Sequence, residues 1–240
     1  VKSQYTDFLS QLKSRLQEKG KLLSITVQAK KSDSDSWRGA GATDYQALGK
    51  IADQFVVMTY DYHRTNTSPG AVAPIDWVQE VLEYAKSKVD SAKIFAGVPF
   101  YGYDWCVSSS NSTCENKALL WEGVQNIIGQ YNPPVEWDDR TKTPWFYYQQ
   151  RTGEEHVVYF ENHESLQAKL DLFHEMNIAG FSVWQLGGED PESISAIRAR
   201  TGKDKIVTPG VRVTPGDRSI DVSWDLLARN EINGYRLYFK

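Results

Sequence analysis

Phe55-Val-Val-Met-Thr-Tyr-Asp-Tyr-His63 is the stretch on which the reading of this 240-residue chain turns. Phe55, Val56, Val57 and Met58 run apolar without alternation, the pattern of a strand covered on both faces in a parallel α/β sheet. Tyr60, Asp61, Tyr62 and His63 follow at its C-terminal end, where parallel α/β folds place their ligands. A carboxylate between two phenols is costly at a strand end without partners. Asp61 is therefore a candidate functional group. The plainer alternative is that Asp61 caps the next loop and the tyrosines pack the rim.

Outward from this strand the chain alternates between two periods. Tyr5, Phe8, Leu9, Leu12 and Leu16 share one face of a helix over 3–19, which Gly20 stops. Leu22 to Ala29 reads as a buried strand, and 30–41 as a polar loop holding Trp37. Thr43 or Asp44 can cap a short helix. After the central strand, 54–61, a loop leads to a helix over 75–89 with Ile75, Val78, Val81, Leu82 and Ala85 on one face. Lys93 to Tyr103 reads as a third strand, and 116–129 as an amphipathic helix. Residues 134–162 change to short antiparallel strands around a turn at Arg151-Thr-Gly-Glu. Ser165 is expected to cap a helix over 165–176, Ile178 to Leu186 to form a fourth buried strand, and 191–200 the last helix. A helix followed by four strand–helix units is the grammar of a parallel sheet or barrel, but four strands cannot close a (β/α)8 barrel.

Residues 203–209 read as a linker. Beyond it Val211, Val213, Ile220, Val222, Trp224, Tyr235, Leu237 and Phe239 alternate as an antiparallel β module, with Pro215-Gly-Asp as a turn. The first residue is Val and no signal peptide is visible, so the sequence reads as a piece of a longer chain.

Composition narrows the class. Hydrophobic residues make up 40% and the net charge is −4, with no basic stripe to suggest a nucleic-acid partner and no apolar run of membrane length. Eight Trp and thirteen Tyr suit stacking on sugar rings, though large cores also use them. Cys106 and Cys114 flank a short polar loop that one disulfide would close; two free thiols are the alternative. A bridge would imply an oxidising compartment. His63, His156, His163 and His174 are scattered without ligand spacing, so no metal is expected, and no cofactor is implied. A hydrolase built on Asp61 and His63 is disfavoured because no G-x-S-x-G elbow occurs.

Three motifs in order carry a resemblance. Met58-Thr-Tyr60-Asp61 with Pro69-Gly and Ala73-Pro-Ile-Asp-Trp77 resembles the sixth strand and next helix of family 18 glycoside hydrolases. Gly97-Val-Pro-Phe-Tyr101-Gly-Tyr103 resembles their seventh strand, and Gly180-Phe-Ser-Val-Trp184-Gln-Leu-Gly their eighth. The resemblance covers about residues 1–200 and is nearest the bacterial chitinase-like, spore-cortex and cell-wall branch. The tail resembles the first strands of a fibronectin type III module. The resemblance implies an α/β fold that is the rear half of a TIM barrel, with a small antiparallel insertion and a partial β-sandwich tail. It divides the chain into residues 1–202, a linker at 203–209, and 210–240.

The resemblance also implies chemistry: a secreted or wall-associated enzyme cleaving β-1,4 bonds of N-acetylglucosamine polymers, chitin or peptidoglycan. The substrate's own acetamide acts as nucleophile, an exception to the two-carboxylate scheme. Tyr60 would donate to the acetamide oxygen, and Asp61 would contact the sugar. Met58 would line the acetamide pocket, Trp184 would form the floor under that sugar, and Tyr101 and Tyr103 would wall the subsite. Core packing is the alternative for Met58 and Trp184. The family's acid is the last residue of a DxxDxDxE string, and no such string occurs here; the nearest, Ser32-Asp-Ser-Asp35, lacks the Glu. A non-catalytic sugar-binding relative is thus the second reading. Two open sheet edges would also favour an edge-to-edge dimer.

Overall fold

Four strands lie parallel in the order β1-β2-β3-β9, so each neighbour is reached by a crossover and the C-terminal ends all point one way. The computed structural model describes residues 2–33, 38–108, 114–201, 211–216 and 219–224. These strands are β1 (Ser24–Gln28), β2 (Gln54–Met58), β3 (Ile94–Pro99) and β9 (Gly180–Trp184). They alternate with α1 (Lys2–Glu18), α2 (Arg38–Gly41), α3 (Tyr45–Ile51), α4 (Ile75–Lys86), α6 (His163–Glu175) and α7 (Pro191–Thr201). Between β3 and α6 the chain builds a second sheet, antiparallel, in the order β5-β4-β8-β7-β6. Its members are β4 (Gly102–Cys106), β5 (Lys117–Leu119), β6 (Glu136–Asp138), β7 (Thr143–Gln149) and β8 (Glu155–Tyr159). Helix α5 (Trp121–Tyr131) packs beside it.

The parallel sheet buries one face and leaves the other open. Ile25, Phe55 and Ile94 share one register row, and Val27, Val57 and Ala96 another; all six are buried. On the opposite face Thr26 is exposed, Val56 and Phe95 are half-buried, and Met58 is half-buried in the row of Gln28. This corrects the expectation of a strand covered on both faces. Helices cover one side, while the other is only partly covered, with the Tyr60 ring lying over Gly97, so the apolar run alternates in burial though not in chemistry.

Local rules explain most elements. Asp44 caps α3 by accepting from the Ala47 amide at 3.0 Å. Val78, Val81, Leu82 and Ala85 of α4 are buried against the sheet with Leu166, Leu170 and Phe173 of α6. Asp53 joins α1 to the start of β2: both its oxygens accept from Lys13 Nζ at 2.6 Å, and the Leu23 amide donates to it at 2.6 Å.

Several boundaries differ from the sequence expectation. The stretch 93–103 is two strands in two sheets, broken at Phe100-Tyr101, because β4 leaves the parallel sheet to pair with β5 and β8. The start of the expected 116–129 helix is strand β5, whose ladder to β4 overrides helical periodicity. Asn162, not Ser165, caps α6: Asn162 accepts from the Ser165 amide, and the Ser165 hydroxyl accepts from the Asn162 amide at 2.9 Å. Within the expected loop 30–41, Arg38–Gly41 is helical, while Trp37 lies outside the described residues. Phe8 is exposed, so the α1 stripe is narrower than the spacing suggested.

The chain divides into two units, residues 1–197 and 198–240. In the second, β10 (Val211–Gly216) and β11 (Ser219–Trp224) form an antiparallel hairpin. Pro215 and Gly216 lie inside β10 rather than in a turn, and residues 203–209, Asp217, Tyr235, Leu237 and Phe239 lie outside the described residues.

Candidate functional site

Asp61 stands where the two sheets meet. It follows β2 with φ +61°, in the left-handed region that Asp tolerates better than most residues. Its Oδ1 accepts two hydrogen bonds, from the Tyr101 hydroxyl at 2.5 Å and the Tyr103 hydroxyl at 2.8 Å. Both phenols are buried, one just before β4 and one in it, so the antiparallel sheet holds a carboxylate that the parallel sheet presents. Burial pushes both tyrosines well above the usual phenol range, and the adjacent Asp61 carboxylate adds to the shift. They remain donors at neutral pH. Oδ2 accepts no hydrogen bond among the described residues.

Tyr60 sits beside this cluster with its ring 6.3 Å from that of Tyr101. Burial, then the charge of Asp61, raises its pKa, and its hydroxyl makes no hydrogen bond among the described residues. Gly97 explains its position. A Cβ there would lie 2.7 Å from the Tyr60 ring and 2.8 Å from the Val57 carbonyl oxygen, so only glycine lets the ring lie against β3. Thr59 donates to the Gly97 carbonyl at 2.6 Å and locks the two strand ends together.

Two cavities share Asp61. One, of about 380 Å³, is lined by Gln28, Met58, Tyr60, Tyr62, Arg64 and Trp77 among others. The other, of about 240 Å³, is lined by Tyr101, Tyr103, Leu120, Trp184 and Gln185. Trp184 is 57% exposed at the end of β9, so it is a surface wall and not core. Its carbonyl accepts from the Phe100 amide at 2.7 Å, and the Trp184–Gln185 peptide is cis. Gly188 is required behind it, because a Cβ would lie 2.2 Å from the Phe100 carbonyl oxygen.

The fold thus gathers Met58, Tyr60, Asp61, Tyr101, Tyr103 and Trp184 at one end of the parallel sheet. Tyr101 and Tyr103 line the smaller cavity and also donate hydrogen bonds to Asp61. Gln28 and Arg64 were not singled out from the sequence, and Trp77 entered only within a motif, without a site role. Gln28 had a signal, being the polar last residue of an apolar strand. Arg64 had none, since the path of the loop brings it in. Asp61 is the single carboxylate lining either cavity. The lining residues therefore offer a hydroxyl donor, a carboxylate oxygen and aromatic faces, which suit holding an amide and a sugar ring. They do not form the carboxylate pair of ordinary glycosidases.

Cys106 and Cys114 are disulfide-bonded, with Cα atoms 5.8 Å apart. The bond closes a loop on the far end of β4 from the cavities.

Comparison with known proteins agrees with this architecture. Residues 1–190 match the family described as glycosyl hydrolases family 18. The chain is 34% identical over 183 residues to the putative sporulation-specific glycosylase YdhD of Bacillus subtilis, covering 76% of this chain and 43% of that one. The crystal structure of the Bacillus cereus spore cortex-lytic enzyme SleL superposes with a TM-score of 0.76 at 35% identity, over 82% of this chain and 45% of that one. A chitinase structure from Chromobacterium violaceum gives 0.76 at 30% identity, over 83% and 62%. The chain spans less than half the length of curated relatives such as YdhD. With the family match covering most of its length, this chain belongs to the family 18 glycosyl hydrolases.

Proposed function

We propose that this chain forms the acetamide-holding part of a glycosidase acting on N-acetylglucosamine polymers, cortex peptidoglycan or chitin, in a wall-associated or extracellular setting. The observation that carries the reading is the Asp61 cluster. A carboxylate fixed by two buried phenols stands one residue from an unengaged Tyr60 hydroxyl, with an exposed Trp184 beside it.

In this reading a sugar stacks on Trp184 and its acetamide lies between Tyr60 and Asp61. The Tyr60 hydroxyl donates to the acetamide carbonyl oxygen and orients it toward the anomeric carbon. Attack by that oxygen is intramolecular, so the nucleophile is already in place. Asp61 orients the acetamide N–H and offsets the positive charge that develops on the ring formed. Protonating the leaving oxygen needs a carboxylic acid, and neither cavity supplies a second one. The open face of the four-stranded sheet supports reading it as half of a (β/α)8 barrel, completed by strands carrying that acid.

By the same reading the hairpin Val211–Trp224 begins a fibronectin type III-like module after a domain over 1–202. The edge strands β1 and β9 are expected to drive pairing between copies when this span is made alone. Sedimentation showing a monomer at all concentrations would remove that expectation.

The sequence also supports a second reading, because no DxxDxDxE string occurs in it: a sugar-binding relative without turnover. One experiment separates the two. The chain alone should bind N-acetylglucosamine oligomers by calorimetry without cleaving them. Joined to the leading half of a relative such as SleL, it should cleave them. Binding without cleavage in a folded hybrid would leave the second reading standing, and no binding in either form would defeat both.

A further inference from the structure

The strongest unassigned cluster lies in the antiparallel sheet, away from both cavities. His156 of β8 is buried, and its ring stacks on Tyr148 of β7 with centroids 4.8 Å apart. Its Nδ1 lies 2.8 Å from Oδ1 of Asp104, which is wholly buried and also accepts from the Tyr148 hydroxyl at 2.9 Å. A carboxylate can only accept, so Nδ1 carries a proton, and in the neutral ring the lone pair is on Nε2. That nitrogen is 3.0 Å from Gln150 Nε2 and 3.5 Å from Cys114 Sγ. The sulfurs of Cys106 and Cys114 and one nitrogen of His156 all lie within 4.8 Å of one another.

We propose that reduction of the Cys106–Cys114 disulfide converts this cluster into a binding site for a divalent thiophilic cation of the zinc class. Three features of the geometry agree. Two sulfurs and one imidazole nitrogen are a donor set that zinc accepts. The imidazole is oriented by a buried carboxylate on its far nitrogen, the arrangement by which proteins fix a ligating histidine. The histidine is held by Asp104 and Tyr148 in the core of the sheet, so it stays aimed when the sulfur–sulfur bond is gone. Sequence spacing hid the set, because His156 is far from the cysteines along the chain and reaches Cys106 only through the β4–β8 register.

The steps balance. A thiol or phosphine reductant supplies two electrons, and with two protons the disulfide becomes two thiols. The cation then displaces two protons, forming two metal–thiolate bonds of about 2.3 Å, while Nε2 gives up its contact with the Gln150 amide and contributes its lone pair at about 2.0 Å. Solvent fills the fourth position.

The test uses the full chain reduced with a phosphine and titrated with cobalt(II), whose thiolate charge-transfer absorption reports sulfur ligation directly. One equivalent should bind with that absorption. The oxidised chain and a Cys106→Ser/Cys114→Ser variant should bind about a hundredfold or more weakly and without it. X-ray absorption on the zinc-loaded reduced chain should show two sulfurs and one imidazole, a readout that does not require a His156 variant to fold. Absence of the charge-transfer bands in a chain with two titratable thiols would overturn the proposal. So would equal binding by the double serine variant, a metal shell without imidazole, or loss of the native circular-dichroism signal on reduction.

Discussion

The two sheets of this chain are stabilised in different ways. The parallel sheet draws its burial from one face. Phe55, Val57, Ile94 and Ala96 are fully buried under helices, while Val56, Met58 and Phe95 on the reverse remain half-open. The antiparallel sheet is smaller but encloses its own cores: Phe146, Tyr148, Val158 and Phe160 with α5 in one, and Tyr101, Tyr103 and Trp105 with Val72 in the other. It also contains the buried Asp104–His156–Tyr148 network and the disulfide. The lesson is a division of labour. The half-covered sheet presents functional groups at its strand ends, and the self-sufficient sheet supplies rigid donors that fix Asp61.

The largest expected effect tests that contrast directly. Phe146→Ala should cost about 3–5 kcal/mol in denaturant unfolding, the range for emptying a packed aromatic site. Phe95→Ala on the open face should cost about 1 kcal/mol or less, as surface changes do. Equal costs would show that the reverse face is covered in solution.

Next in size are substitutions at the junction, read in a cleavage-competent hybrid. Tyr60→Phe should lower turnover at least tenfold, equivalent to about 1.4 kcal/mol, with little change in melting. Asp61→Asn should do likewise. A Tyr60→Phe enzyme within about twofold of the parent would show that this hydroxyl holds nothing in the transition state.

Trp184→Ala sharpens the comparison from the other side. Because its side chain is mostly exposed, no cavity opens and stability should fall by no more than about 1 kcal/mol. Binding of N-acetylglucosamine oligomers should weaken about tenfold. A large loss of stability without loss of binding would return Trp184 to the core.

The smallest effect is an alkaline limb shared by the tyrosines in and next to the antiparallel sheet. Burial raises Tyr101, Tyr103 and Tyr148 above the ordinary phenol value, with Asp61 adding to the first two and Asp104 to the third. Below pH about 10 both folded and unfolded chains keep these protons, and the contribution to stability is complete. Above it the unfolded chain loses them first, so stability should fall as pH rises toward the folded values. Urea midpoints between pH 8 and 11 would measure it. A flat profile would mean that these phenols ionise as freely folded as unfolded.

Much of this was legible in the sequence. The four parallel strands, the hairpins within 134–162 and the placing of Tyr60 and Asp61 at a strand end follow from local apolar runs and turn residues, while the grouping of Met58 and Trp184 with them is what the family resemblance implied. The break at Phe100-Tyr101 was not legible, because the residues on both sides favour extended backbone and only their pairing partners differ. The strand Lys117–Leu119 was hidden for the same reason: a helical spacing was overruled by a ladder to β4. Ser165 looked like a cap, and the choice of Asn162 depends on where the chain enters the helix.

The sequence by itself determined the parallel α/β class, the family and the end of the sheet where the candidate site residues gather, because these depend on periodicity and on motifs a few residues long. Only the tertiary structure decided that Tyr101 and Tyr103 clamp Asp61, that one sheet face stays open, and that His156 meets the Cys106–Cys114 pair. Each of these depends on residues about forty or more positions apart, or on which surface another element covers. Strand register and crossover path fix such relations, and no local stretch of sequence encodes them.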